Sequence, residues 1–351
     1  MRLLHIITSF EIGGAQRLLS DLIPIQVSQG IDVSVAVNRI IDNAFSKKLK
    51  DSGVRIIEIG EDNFYNPKNI LLLRKLLRNY DIAHVHLFPT LYWAAFANIR
   101  LTTKLVYTEH STYNKRRDKR WLQPIEKFVY SRYNKIISIS SQTQTNLIKW
   151  LGFNDERFII IDNGVDIASF KSTKSHIISK SLIMVSRFVA AKDQSTLIKA
   201  LKHIDSTVIL KLVGDGDNLD LCKKLANEEG VDGRVQFLGN RTDIPKLISE
   251  SYIGIQSSHW EGFGLTAIEI MAAGKPVVAS DVDGLKQVVE GAGLIFKKGD
   301  PMDLADCINR LIEDEELYRS TSAKCMERAA RYDISKMAAE YSKVYKAVMA
   351  R

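Results

Sequence analysis

Apolar and polar positions along the chain switch between two periods. RLLHII, near the start, is a short apolar run. AQRLLSDLIPIQVSQG then spaces its apolar residues like a helix face, and IDVSVAVN alternates with period two. Further strand-like runs follow at VRIIEI, IAHVHL, KLVYTE, KIISIS and RFIII, separated by helical stretches such as NPKNILLLRKLLRNY. Pro24 lies inside the first helical pattern, where a kink or an early end is expected. Such strand–helix repetition predicts parallel sheets wrapped by helices.

The pattern restarts after RFIIIDNGVDIASF. SLIMVSRF reads as a new first strand and KDQSTLIKALKHI as its helix, with TVILKLVGDGD, RVQFLG, YIGIQSS, KPVVASD and GLIFK as later strands. Asn163 and Gly164 supply turn residues at the join, and the stretch from Asp300 onward is helical by spacing. The expected fold class is therefore α/β, with two doubly wound parallel-sheet domains at residues 1–164 and 165–334. The last helix, 335–351, is expected to pack back on the first domain. Open parallel sheets bind ligands beyond the carboxyl ends of their strands, and two of them imply a cleft between.

Composition narrows the class. The 351 residues are 45% hydrophobic and 26% charged, as in a globular protein. No apolar run approaches the roughly 18 to 20 residues of a membrane-spanning helix, and MRLLHIITSF turns polar too soon for a signal peptide. A soluble, cytoplasmic protein is expected. Cys222, Cys307 and Cys325 are odd in number and widely spaced, against both a disulfide framework and a zinc site. The net charge of +8 is concentrated: Asn114 to Lys135 holds eight Lys/Arg against Asp118 and Glu126. That segment reads either as a solvated helix face or as a patch for an anionic surface, lipid or nucleic acid.

Several loops carry candidate chemistry. SFEIGGAQR sets Gly13 and Gly14 between the first strand and helix, either as a plain tight turn or as a close backbone approach to a ligand. GxGxxG is absent, so a dinucleotide cofactor is not supported. In VSRFVAAKDQ, Arg187 closes a strand and Lys192 opens a helix, so that two cations and helix amides could converge on a diphosphate. LVGDGD reads as a glycine turn. Asp281 and Asp283 have the spacing of a metal-binding pair but lack further ligands, and no metal is expected. His84 and His86 share a strand face with no third ligand in view, which favours a structural role; His5 suggests only packing. Glu109 and His110 fall at the carboxyl end of a strand, where a histidine can donate to a sugar hydroxyl or a developing charge.

The stretch SSHWEGFGLTAIEIMAAGKPVVASD places Glu261 and Glu269 with seven residues between them. On one helix they would not stack. With Glu261 in the loop and Glu269 about one turn into the helix, Gly262 and Gly264 present amides between two acids. One reading is a cap on the helix; the other is a site for vicinal hydroxyls beside an anion, as a nucleotide sugar would need.

With these motifs the chain resembles the retaining glycosyltransferases of family four, which have the GT-B fold of two facing Rossmann-like domains. Glu261 and Glu269 match the family's E-x7-E motif, and SRFVAAKD its Arg/Lys pair. LVGDGD and FLGNRTDI match its nucleotide-side strand ends, DNGVD the interdomain crossover and GGAQR the N-terminal glycine loop. The resemblance implies that Arg187 and Lys192 neutralise the donor diphosphate in place of a metal, with no cofactor. It implies that Glu269 binds the ribose and Glu261 the transferred sugar. The backbone of Gly262, Phe263, Gly264 and Leu265 would hold sugar and phosphate. Asn240 and Arg241 would line the base pocket, Gly13 and Gly14 would approach the diphosphate, and His110 would contact the sugar. The implied activity is transfer from a nucleotide sugar, a UDP-sugar by expectation, to a glycan or lipid-linked acceptor, as in surface polysaccharide or lipopolysaccharide assembly. Arg116, Arg117, Lys119, Arg120 and Trp121 then read as a peripheral contact with anionic membrane. A sugar-nucleotide epimerase or hydrolase of the same architecture is the rival enzyme. A nucleic-acid binder fits less well, since no aromatic platform accompanies the basic segment.

Overall fold

The computed structural model describes residues 1–11, 13–60, 65–171 and 180–350, so that Ile12 of the glycine loop lies outside it. The chain divides into two units: Met1–Gly164 with Ile334–Arg351, and Val165–Asp333.

The N-terminal unit is built on β1 (Arg2–Ile6), β2 (Asp32–Val37), β3 (Arg55–Glu58), β4 (Ile82–His86), β5 (Lys104–Glu109), β6 (Lys135–Ser138) and β7 (Phe158–Ile160). All pair in parallel, in the order β3-β2-β1-β4-β5-β6-β7. Alternation along β1 sends Leu3 and Ile7 into one core, and Leu4 and Ile6 into another on the opposite face. The first face is covered by the helices Gly14–Ser28 and Ile334–Met349; Met337, Tyr341 and Tyr345 of the latter join that core. The helix Gly14–Ser28 runs on through Pro24 and does not end there. Leu18, Leu19, Leu22 and Ile23 are buried along it. At about 1.5–3 kcal/mol per buried large apolar side chain, this packing ahead of the proline, continued beyond it by Ile25 and Val27 partly buried against the same core, outweighs the roughly 3 kcal/mol it costs a helix.

The C-terminal unit repeats the plan with β8 (Ser181–Val185), β9 (Ile209–Val213), β10 (Val235–Phe237), β11 (Ile253–Gln256), β12 (Val277–Ser280) and β13 (Leu294–Phe296). Its order is β10-β9-β8-β11-β12-β13, again parallel. In both sheets the order reverses beside the first strand, between β1 and β4 and between β8 and β11. Those two reversals are the topological switch points, where doubly wound sheets bind ligands.

The basic segment is not one helix. It forms two short 3₁₀ turns, Lys115–Asp118 and Arg120–Leu122, followed by the helix Gln123–Ser131. No helix among the described residues is long and apolar enough to cross a membrane.

Candidate active site

At the C-terminal unit's switch point, the loops after β8 and β11 are stitched together. The Ser257 hydroxyl donates to the Asp193 carbonyl at 2.8 Å, and the His259 amide to the Ala191 carbonyl at 2.8 Å. Gln194 Nε2 donates to the Arg187 carbonyl at 2.9 Å and to Ser186 Oγ at 3.0 Å. Between these ties the Lys192 ammonium donates to Glu261 Oε2, with the two side chains 20% and 18% exposed. Water and ligands therefore reach the pair. Lys192 ends a 3₁₀ turn, and the helix Gln194–Ala200 starts after Asp193, whose carboxylate accepts from the Thr196 amide at 3.2 Å. The sequence had put Lys192 on the helix itself. Arg187 is exposed, and neither hydrogen bond nor ion pair joins it to Lys192 among the described residues.

Below these loops the chain passes close. Gly214, at φ 130°, has no room for a side chain: a Cβ would lie 2.1 Å from the Ser186 carbonyl oxygen. The Phe188 amide donates to Asp215 at 2.9 Å, so the loop after β9 braces the loop that carries Arg187. Farther out, Asn240 and Arg241 follow β10, both exposed, and Arg241 forms an ion pair with Asp243 at 2.7 Å.

Glu261 lies in the loop before the helix Leu265–Ala272, where its Oε1 accepts from the Gly262 amide at 3.0 Å. Phe263 is buried; Gly264, at φ 86°, turns the chain into the helix in a conformation that favours glycine. No side chain caps this helix, so its leading amides and the positive end of its dipole are offered to an anion. Glu269 is buried one turn in. The structure thus brings Lys192, Glu261, Gly262 and Gly264 into one place, with Glu269 on the adjoining helix. Asp281 is taken up by Lys286 at 3.0 Å.

In the N-terminal unit Gly13, with extended backbone at φ −171°, precedes the helix that Gly14 begins, at the β1 end of the other switch point. His110 follows β5 and is partly exposed. Its Nε2 meets His86 Nδ1 at 3.1 Å, His86 Nε2 meets His5 Nδ1 at 3.0 Å, and His5 Nε2 meets Gln26 Oε1 at 2.8 Å. His84 lies beside this chain, with Nδ1 2.6 Å from the Tyr345 hydroxyl and Nε2 2.7 Å from Thr108 Oγ1. Loss of water around them pushes His5 and His110 down to about 4 and holds His84 and His86 well below the usual imidazole range. All four are neutral at pH 7. His5 is the third partner that the HVHL motif lacked in sequence: β1 pairs with β4 so that His5 faces His84. The alternating His84 and His86 signalled the face, but only the strand order reveals what shares it.

Two basic residues expected on a membrane surface are instead inside the unit. Arg116 Nε donates to Glu126 Oε1 at 2.8 Å, and its guanidinium lies 4.3 Å from the centre of the Phe88 ring. Glu126 is fully buried and also accepts from the Tyr92 hydroxyl at 2.8 Å and Trp150 Nε1 at 2.6 Å. Arg117 donates to Glu109 at 3.1 Å, as does the Tyr130 hydroxyl at 3.0 Å. Buried carboxylates demand cations, and these two arginines supply them. Lys119, Arg120 and Trp121 remain exposed, Trp121 by 68%. Ile125 and Phe128 are exposed on the helix that follows.

Residues 12–169 match the family model described as Glycosyltransferase Family 4, and residues 169–329 that of Glycosyl transferases group 1. Fold and matches together define a glycosyltransferase of the GT-B class. The chain belongs to family four of these enzymes. Over 339 residues it is 25% identical to the N,N'-diacetylbacillosaminyl-diphospho-undecaprenol alpha-1,3-N-acetylgalactosaminyltransferase of Campylobacter jejuni, covering 87% of this chain and 89% of that one. The structure of HepE from Anabaena, in complex with UDP and glucose, superposes with a TM-score of 0.88 at 25% identity, covering 99% of this chain and 100% of that one. Sucrose-phosphate synthase from Thermosynechococcus elongatus shares the fold, with a TM-score of 0.84 at 19% identity and 99% coverage of both chains.

Proposed function

We propose that this glycosyltransferase moves a sugar from a UDP-sugar to a glycan or lipid-linked saccharide, with retention of configuration and without a metal. The observation that carries the proposal is the Lys192–Glu261 pair at the switch point, beside an uncapped helix N-terminus. The Lys192 ammonium and the Glu261 carboxylate neutralise each other. On binding, a diphosphate takes over the ammonium of Lys192, joined by Arg187, and the Glu261 carboxylate turns to the sugar hydroxyls. Backbone amides from Gly262 to Leu265 bind phosphate and sugar. Glu269 takes the ribose hydroxyls, and Asn240 and Arg241 line the base; in the N-terminal unit, Gly13, Gly14 and His110 are read as substrate contacts. HepE, crystallised with UDP and glucose, supports the choice of base, and the Campylobacter relative, named for a diphospho-undecaprenol substrate, supports a lipid-linked acceptor.

The reaction breaks the bond between the anomeric carbon and the diphosphate oxygen, and the electron pair leaves with the phosphate. The acceptor oxygen attacks from the same face, assisted by the departing phosphate oxygen. Lys192, Arg187 and the helix amides stabilise charge that grows as the bond lengthens, which lowers the barrier more than it tightens donor binding. The two cations fill the role of a divalent ion. Transfer that persists in excess chelator, with a UDP-sugar raising thermal stability above GDP- and ADP-sugars, supports this reading. Conversion of the donor alone to an epimer overturns it.

For the acceptor side, Trp121, Ile125 and Phe128 with Lys119 and Arg120 combine exposed apolar side chains with cations that have no side-chain partner among the described residues. That chemistry fits the surface of an anionic bilayer, and co-sedimentation with anionic vesicles tests it.

A further inference from the structure

The buried hydrogen-bonded chain behind His110 has a direction. The Gln26 amide oxygen only accepts, so His5 Nε2, at 2.8 Å, carries a proton and donates. A neutral imidazole bears one proton, which leaves His5 Nδ1 as an acceptor for His86 Nε2–H at 3.0 Å. By the same rule, His86 Nδ1 accepts from His110 Nε2–H at 3.1 Å. On the other side of Gln26 the amide nitrogen donates to the Tyr345 hydroxyl at 3.3 Å, and that hydroxyl donates to His84 Nδ1. Every bond has the same polarity. Turning the Gln26 amide over would reverse them all, so this one side chain decides where each proton sits.

We propose that Gln26, His5 and His86 are positioning residues that set the tautomer of His110, keeping its proton on Nε2 and leaving Nδ1 as an acceptor for a ligand hydroxyl. The consequence for catalysis rests on the reading of His110 as a substrate contact; the tautomer itself does not. Burial keeps the members neutral, as a one-way chain requires. His5, His84 and His86 are also close enough to surround a metal ion, within 4.8 Å of one another. Yet all six of their ring nitrogens already have partners within the unit, and a lone pair given to a cation is lost to the chain.

Long-range ¹H–¹⁵N correlation on histidine-labelled, full-length protein at pH 7 reads each tautomer without substrate. His110 is expected as pure Nε2–H. In Gln26→Met its signals move toward a mixture of tautomers, and kcat falls several-fold while UDP affinity is kept. Tyr345→Phe, which removes one hydroxyl and retains the packing, gives a smaller shift in the same direction if Gln26→Met fails to fold. His110 as Nδ1–H in the native protein, an unchanged tautomer in both variants, or stoichiometric metal in the purified chain overturns the relay. Wild-type transfer by His110→Phe would instead remove the catalytic reading while the tautomer result stands.

Discussion

Two glutamate–cation pairs in this molecule join the same kinds of charge and differ in exposure. Glu126 with Arg116 is closed: both oxygens are taken by three donors, and the carboxylate has no exposed surface. Glu261 with Lys192 is open, held on two loops at a switch point, with about a fifth of each side chain exposed. The closed pair spends its charge on the fold, because removing one partner would strand a buried ion. The open pair can be re-partnered by a ligand, and its loops are fixed by neighbours rather than by the pair itself. What distinguishes a site from a strut here is whether the charge has somewhere else to go.

The contrast is broken most severely at the closed pair. Glu126→Ala should cost about 3–5 kcal/mol of stability, read by urea denaturation, while UDP affinity of the folded fraction is kept. If Glu126→Ala is as stable as the parent chain, the strut reading fails. Glu261→Ala should do the reverse: transfer falls on the order of 10²–10³-fold by radiolabelled-donor assay, with the melting temperature nearly unmoved. Near-normal turnover would dissolve the distinction. Arg187→Ala and Lys192→Ala should each weaken UDP binding by calorimetry, roughly tenfold to a hundredfold, as expected for a lost charge-assisted contact. Smallest is the exposed end of the basic segment. Lys119→Ala and Arg120→Ala should each lower anionic-vesicle affinity by about 1 kcal/mol, whereas an equal loss in neutral vesicles would point away from charge.

Much of the architecture was legible because strands and helices announce themselves by period: every strand run read from the sequence has its counterpart, and the units divide between Gly164 and Val165, within RFIIIDNGVDIASF and ahead of the restart. Local placement was legible where one turn holds it: Glu261 lies in the loop, Gly264 leads into the helix and Glu269 sits about one turn in. What failed was anything decided by distant neighbours. Arg116 and Arg117 read as surface charge because Glu126 and Glu109 are partners only after β5 and the helix Gln123–Ser131 have packed. Pro24 read as a break because the core on either side of it is invisible in a local window. His5 read as filler because its meaning depends on β1 lying beside β4, where His84, 79 positions further along the chain, is its partner in the register, a pairing that no single segment encodes.

The histidine cluster also makes folding a proton-linked equilibrium. An unfolded histidine takes up a proton near pH 6.5, whereas His5 and His110 in the folded chain resist until about 4. Above 6.5 the two states hold equal protons at these groups. As pH falls from about 6.5 toward 4, the unfolded chain binds protons that the folded one refuses, and stability drains away throughout that interval. Below it the folded form is protonated too, and the loss levels off. The N-terminal unit is therefore expected to be more stable near neutrality than in mild acid, which should loosen it through its own interior.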